Sequence, residues 1–442
     1  MAYHGQNRGR NNHRGGGGRS NFRGGGGRGG RGRGGRTGHV YHNGGCPPEL
    51  SRPHVKINSK SIPEHILKRH ASIENSDRIP PHKKIDPSQT LWPTSDVALW
   101  NDPSTNTLKF FTGSHDGHWR LYNTANGFSK ELQHPMRGRI SHLTVESNFL
   151  FCCFEATAGK VPGARVGMIF AWNLSNPGDP PVEFHMMEGD LAPFAHSHFV
   201  TSFITSGDQC FSGGKDCAIR IWKFDATLNS GKGGFRLVQT CCGHAREVTG
   251  LAMGSNGMLW SCSTDHTIRL WDSNSNWECK HLISQGTVDT SNVGSTSSTG
   301  SSSGIGHLDA ITALVTFDGP QGRFILSSSL DHSIKIWNSS NGECVSTTDN
   351  GVGITCMALS TDIKGHQLLL CGSADGRIII RSLSEAHNVP PMTLLCCIDD
   401  RFNESHGQGQ IKSIKTGTGN TFYTAGEDGK VMVWQIAGDL IL

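Results

Sequence analysis

Short apolar runs of alternating character recur along most of this chain, and each follows an Asp by a fixed step. Asp116, Asp216, Asp265, Asp331 and Asp428 are each followed six residues later by an aromatic: Tyr122, Trp222, Trp271, Trp337 and Trp434. Asp375 keeps the frame, with Arg381 in the aromatic position. Between each pair lies an alternation such as Ile219-Arg220-Ile221, Ile268-Arg269-Leu270, Ile334-Lys335-Ile336 or Val431-Met432-Val433. A period of two predicts strands. The repeated Asp residues stand 100, 49, 66, 44 and 53 residues apart, so the first interval holds two units and the third an insertion. Self-similarity at about 40–50 residues, with several short strands per unit, predicts a β-propeller.

Seven units follow from this reading: Val97 to Tyr122, Ile140 to Trp172, His198 to Trp222, Gly243 to Trp271, Gly306 to Trp337, Ile354 to Arg381 and Ile411 to Trp434. The second is divergent, with a Gly-rich stretch in place of the Asp turn. The expected fold is all-β, a seven-bladed propeller over residues 89–442. The chain ends eight residues after Trp434, so a strand near Thr90-Leu91-Trp92 is expected to complete the last blade and remove its open edge. Arg120, Arg220, Arg269 and Lys335 occupy third-strand positions. They are expected to face solvent or neighbouring blades rather than to compose one basic patch.

Two stretches break the pattern. Residues 284–305 form a Ser/Thr/Gly tract between units four and five, read as a long surface loop. Its hydroxyls are candidate phosphorylation sites, although a plain spacer is the favoured reading. Residues 49–88 form a polar, Pro-containing linker, with one short helix expected near Ile62 to Arg69 before Pro80-Pro81.

Charge separates the ends of the chain. Residues 1–48 carry nine Arg and no Lys, Asp or Glu, while the remainder holds 32 basic and 37 acidic residues. The chain is thus a +9 tail on a body of −5, which points to a polyanionic partner for the tail. Gly fills 18 of those 48 positions, and Arg14, Arg23, Arg28 and Arg33 each begin an Arg-Gly-Gly triplet. Such a segment buries too little apolar area to offset the entropy of ordering, so disorder is expected. Fourteen Cys, with pairs such as Cys152-Cys153 and Cys396-Cys397 in apolar runs, show no secreted or metal spacing. They read as reduced and mostly buried in an intracellular protein of the nucleus or cytoplasm. No apolar run is long enough to span a membrane, and no secretory leader is expected.

Units four and five place His244, Ser261, Asp265 and Trp271, and His307, Ser327, Asp331 and Trp337, in one order. A carboxylate in a tight turn can accept from an imidazole. The imidazole can bond a strand hydroxyl, and the hydroxyl can receive the indole N–H. The same residue types serve in hydrolases. The recurrence of the set, and its end on an indole rather than in a cleft, favour a structural network.

These residues carry a resemblance. Gly243-His244, followed by Ser263-Thr264-Asp265-His266-Thr267-Ile268-Arg269-Leu270-Trp271-Asp272, resembles a WD repeat of the kind that builds seven-bladed propellers. The resemblance implies a docking platform for proteins. Gly243 to Leu251, Leu326 to Trp337, Ile411 to Ile414 and Phe422 to Gly426 are similar to one subgroup, plant-type proteins with CCCH zinc fingers followed by WD repeats. That likeness implies RNA binding through a finger. A CCCH finger needs three thiolates and an imidazole, and Cys46 alone precedes the repeats. No zinc ligand, metal or cofactor is therefore assigned.

The tail has its own chemistry for RNA. Arg8, Arg10, Arg14, Arg19, Arg23, Arg28, Arg31, Arg33 and Arg36 supply planar, always-charged forks for phosphate that also stack on bases. Phe22 and Tyr41 add stacking faces. The expected function is a non-catalytic, monomeric adaptor, with RNA on the tail and proteins on the propeller. The alternatives are a protein-interaction platform without RNA and a ubiquitin-ligase substrate receptor. Trp271-Asp272 is followed by Ser273-Asn274, without the basic residue such receptors often carry. An enzyme fits poorly, since no phosphate loop, nucleophile elbow or metal cluster is present.

Overall fold

The computed structural model describes residues 67–74 and 92–436, less 126–128, 137, 158–164, 187–193, 229–232, 286, 290–305, 320–321, 384–391, 399–405 and 408. Seven antiparallel blades follow one another around a closed ring. Their innermost strands are Thr94–Asp102, Ile140–Glu146, Val200–Ser206, Val248–Met253, Ile311–Gly319, Ile354–Thr361 and Ile411–Thr416. Each blade then runs outward through three further strands.

The hydrophobic core is divided in the same way. Seven apolar clusters each lie between two neighbouring blades, so every blade is buried on both faces. The cluster that closes the ring joins Val97, Phe110 and Tyr122 of blade one to Tyr423, Val431 and Val433 of blade seven. Phe110 stacks on Tyr122 at 5.1 Å and leans on Tyr423 at 5.2 Å.

The closing strand comes from elsewhere than expected. Strand Leu67–Glu74 pairs antiparallel with Lys430–Ile436, from Leu67 opposite Ile436 to Glu74 opposite Lys430. It completes blade seven as the outer strand. Of the stretch expected to close the ring, Thr90 and Leu91 lie outside the described residues. Trp92 is 46% exposed and precedes the inner strand of blade one. Leu67 to Arg69, expected to end a short helix, are extended. A free third-strand edge is a stronger determinant than a local helical pattern.

Two further edges are covered. Thr287–Asp289, inside the tract read as loop, pairs with Glu278–Ser284 as a fifth strand of blade four. Blades two and three merge into one eight-stranded sheet, because Val182–His185 pairs parallel with Gly234–Cys242. There Phe184 and Phe235 stack at 4.1 Å with their planes 7° apart.

Six blades share a turn after the second strand in which the residue after the Asp is left-handed. These residues are Gly117, Cys217, His266, His332, Gly376 and Gly429. Glycine suits three of them, since it carries no Cβ penalty at positive φ.

Candidate functional site

Buried side-chain networks tie the strands within the blades. In blade four, His244 Nδ1 is 2.9 Å from Asp265 Oδ2, and its Nε2 is 2.8 Å from Ser261 Oγ. Trp271 Nε1 donates to the same Oγ at 2.9 Å. Blade five brings His307, Asp331, Ser327 and Trp337 together at 2.9, 2.7 and 2.7 Å. Since the hydroxyl accepts from the indole, its own proton points to Nε2, and Nδ1–H donates to the carboxylate. Ser261 and Ser327 have no exposed surface. A hydroxyl held between an indole and an imidazole, away from solvent, has no path to a substrate.

Two more blades carry the set without a Gly-His signal. His196 bonds Asp216 at 2.8 Å and Ser212 at 2.7 Å, and Trp222 donates to Ser212 at 2.8 Å. His406 bonds Asp428 and Thr424, each at 2.8 Å, and Trp434 donates to Thr424 at 3.0 Å. Sequence reasoning missed both histidines, which follow Ala195 and Ser405 rather than Gly. The usable signal is distance: the four histidines precede their Asp by 20, 21, 24 and 22 residues. Gly214 and Gly426 end the second strands of these two blades. A Cβ on Gly214 would lie 2.4 Å from His196 Nδ1, and one on Gly426 would lie 2.5 Å from His406 Nδ1.

Burial lowers the pKa of His196 and His307. Burial alone would raise the carboxyls of Asp216, Asp265 and Asp331. Hydrogen bonding and charge from their histidines outweigh it and hold all three well below the usual carboxylate range.

The remaining blades depart from the set. In blade one Arg120 pairs with Asp116, and in blade three Arg220 joins Asp216 at 2.8 Å. Arg120, Arg220 and Lys335 are 2%, 6% and 6% exposed. Of the expected solvent or neighbouring-blade placements, solvent is excluded for these three, and each finds a partner within its own blade. In blade six Arg381 replaces the indole and reaches Asn350 Oδ1 at 2.8 Å and the Met392 carbonyl at 2.6 Å.

The inner strands line a channel containing a cavity of about 430 Å³. Each inner strand bulges at its start, at Ser95, Ser141, Thr201, Thr249, Thr312, Thr355 and Lys412. Five of the hydroxyls donate across the blade boundary to the first carbonyl of the next inner strand. They are Ser95 to Ile140, Thr201 to Val248, Thr249 to Ile311, Thr312 to Ile354 and Thr355 to Ile411. This belt stitches the ring from within.

The belt is joined by a carboxylate where the ring closes. Asp96, 3% exposed, accepts from Leu143 N at 2.9 Å and from Ser413 Oγ, and it lies 2.8 Å from His142 Nδ1. It thereby ties blades one, two and seven. Burial would raise its pKa, but Lys415, His142 and the Leu143 N–H hold it far below its ordinary value.

At the mouth above the belt, one backbone bond per blade sets the rim. A residue just after the second strand, or within its end in blade two, donates to the carbonyl just before the inner strand. The pairs are His115 to Pro93, Glu155 to Arg139, Lys215 to Phe199, Thr264 to Glu247, Leu330 to Ala310, Ala374 to Gly353 and Glu427 to Gln410. Small and apolar residues occupy the rim of blades five and six, and cations with an aromatic ring occupy blades two and three. Such a rim is suited to docking rather than to bond chemistry. Among the described residues no group of three or more His, Cys, Asp or Glu could hold a metal ion. The tail residues Arg8, Arg10, Arg14, Arg19, Arg23, Arg28, Arg31, Arg33, Arg36, Phe22 and Tyr41 lie outside the described residues.

A family model described as the IP5P C-F beta-propeller matches residues 158–285, and one for the WD domain, G-beta repeat, matches residues 300–338. The chain is a WD-repeat β-propeller. This propeller is 27% identical to the nuclear distribution protein nudF of Aspergillus niger, over 52% of the chain and 48% of that protein. It is 25% identical to the ribosome biogenesis protein WDR12 homolog of Oryza sativa subsp. japonica, over 57% of each. It is 28% identical to the ribosome biogenesis protein YTM1 of Coccidioides immitis, over 52% of the chain and 48% of that protein. The chain spans about half the length of the curated relatives it matches.

Proposed function

We propose that this WD-repeat propeller is a non-catalytic, RNA-associated adaptor of the nucleus or cytoplasm, with RNA on the tail and proteins on the propeller rims. The observation that carries the RNA half is the tail itself, nine arginines and no acid among 48 residues. Forked guanidiniums on a Gly backbone grip phosphates and stack on bases with little sequence preference. The likeness to proteins with CCCH fingers favours the same partner, although no zinc is assigned here. The docking half is supported by the buried Ser/His/Asp sets, which end on indoles, and by relatives named for ribosome biogenesis and nuclear distribution. No described helix is long and apolar enough to cross a membrane. The ligase-receptor alternative is weakened locally, since Asn274 stands where such receptors often carry a basic residue.

Ultraviolet cross-linking of the full chain to RNA, with mapping of the adducts, tests the reading. Adducts within residues 1–48 are expected. A protein that cross-links nowhere removes the RNA half and leaves the docking platform.

A further inference from the structure

The rim of blades two and three holds two cations that meet an aromatic ring and no described carboxylate. Arg139 and Lys215 are exposed, and neither has a carboxylate partner among the described residues. Several other cations are paired, although Arg246, beside Glu247 at the rim of blade four, is exposed as well. Arg120 and Arg220 pair within their blades, Lys412 at the mouth pairs with Glu427 at 2.7 Å, and Arg323 pairs with Asp318 at 2.7 Å. Glu155, the rim partner of Arg139, turns away to Arg165 at 2.8 Å and is buried. The next rim acid, Glu247, belongs to blade four.

Both cations approach one aromatic ring. The Arg139 guanidinium lies 4.4 Å from the centroid of Phe199, and Lys215 Nζ lies 5.9 Å from it. The His198 ring sits 5.3 Å from Phe199, tilted by 31°. Arg139 also acts on the neighbouring blade one. His115 of blade one is held down at about 4, first by burial and then by Arg139 and Lys412.

We propose that Arg139, Phe199 and Lys215 form a second contact for single-stranded RNA, with the cations on phosphates and the ring face on a base. The inference rests on the RNA reading of the tail and adds a site on the propeller. Cations that track a backbone, interleaved with an aromatic platform, are the pattern that single strands require. An acidic peptide would use the two cations and leave the Phe199–His198 pair idle.

The test uses the full chain and an oligouridylate probe, read by anisotropy across a salt series. Three variants are compared with wild type: Arg139→Ser with Lys215→Ser, Phe199→Ala, and a chain with all nine tail arginines replaced by serine. The double rim variant should lose about 1.4 from the magnitude of the log–log salt slope, at about 0.7 per cation released. Phe199→Ala should weaken binding by about 5- to 150-fold with the slope unchanged, the range one stacked base supplies. The tail variant should keep weak binding that disappears when the rim changes are added.

If the rim variants bind as wild type while the tail variant loses all binding, the site is refuted and the tail reading stands. Absence of binding by wild type refutes both. Displacement of the probe from the tail variant by oligoglutamate as readily as by unlabelled oligouridylate would assign the rim to acidic proteins and overturn the proposal.

Discussion

Replacing Asp331 with Ala isolates the energetic role of the blade network. Asp331 accepts from His307 Nδ1 at 2.9 Å, from Leu308 N at 2.8 Å, and from Ser333 N and Oγ at 2.8 and 2.7 Å. Leu308 is 60% exposed, so water can replace the carboxylate at its amide. His307 is 1% exposed, and its Nδ1–H would lose its carboxylate acceptor in the interior, keeping only the Ser333 hydroxyl at 3.0 Å, which the carboxylate no longer holds in place. An unsatisfied buried donor costs about 1–3 kcal/mol, and the lost turn bonds to Ser333 add about 1 kcal/mol. The expected loss is about 2–4 kcal/mol. For a ring of this size the unfolding entropy is roughly 0.8 kcal/mol per kelvin, so the melting temperature should fall by about 3–5 °C. Blade six supplies the control. Asp375 holds the same turn position without a histidine, accepting from Ser373 Oγ at 2.6 Å and pairing with a partly buried Arg377 at 3.2 Å. Asp375→Ala should cost less than about 1 kcal/mol. Thermal and denaturant melts of both variants decide the matter. Asp331→Ala melting at the wild-type temperature, or no lower than Asp375→Ala, would refute the reasoning.

Three further expectations follow from the same geometry. A chain starting at Glu49 keeps strand Leu67–Glu74 and should melt like the full chain, whereas one starting at residue 89 lacks it and should melt lower; equal melting of the two would contradict the closure. Asp96→Ala leaves the buried Leu143 N–H and Ser413 hydroxyl without their acceptor and should cost about 2–4 kcal/mol, with hydrogen-exchange protection falling first in blades two and seven. Acid should weaken the fold in two stages. His196 and His307 are held neutral below their ordinary value of 6.5, so their contribution is complete above that value and falls as pH drops from about 6.5 through the lowered folded values. Asp216, Asp265 and Asp331 contribute above the carboxylate range and lose that contribution only at stronger acidity. Denaturant midpoints at neutral pH and near pH 5.5 check this, and a midpoint that rises on acidification would contradict it.

The blades were legible because each repeats a local pattern that two-sided burial imposes. The four-residue sets of blades four and five could be written out from sequence, since their histidines follow Gly and their hydroxyls are Ser. Blade seven substitutes Thr424 for Ser, and His196 and His406 lack the preceding Gly. In those blades only the Asp and Trp stood out. The closing strand was illegible for a different reason. It pairs the two ends of the chain, and only ring geometry decides which segment reaches Lys430–Ile436. Asp96 was invisible for the same cause: its partner Ser413 lies 317 residues away, and the equivalent inner-strand positions hold His142, Ser202, Gly250, Ala313 and Cys356. The rim pair of Arg139 and Phe199 comes from two different blades, so no single repeat contains it. The hydroxyl belt, by contrast, was open to reading, since an apolar or Thr residue precedes a hydroxyl in six of the seven inner strands, from Thr94-Ser95 to Ile354-Thr355.

Affinity for single-stranded RNA, measured across a salt series for the full chain and for a chain starting at Glu49, tests the adaptor reading most directly. The account predicts that the shorter chain loses most of the affinity and most of the salt slope, whose magnitude with nine tail cations is at most about 6. Equal affinity and equal slope in the two chains would contradict it.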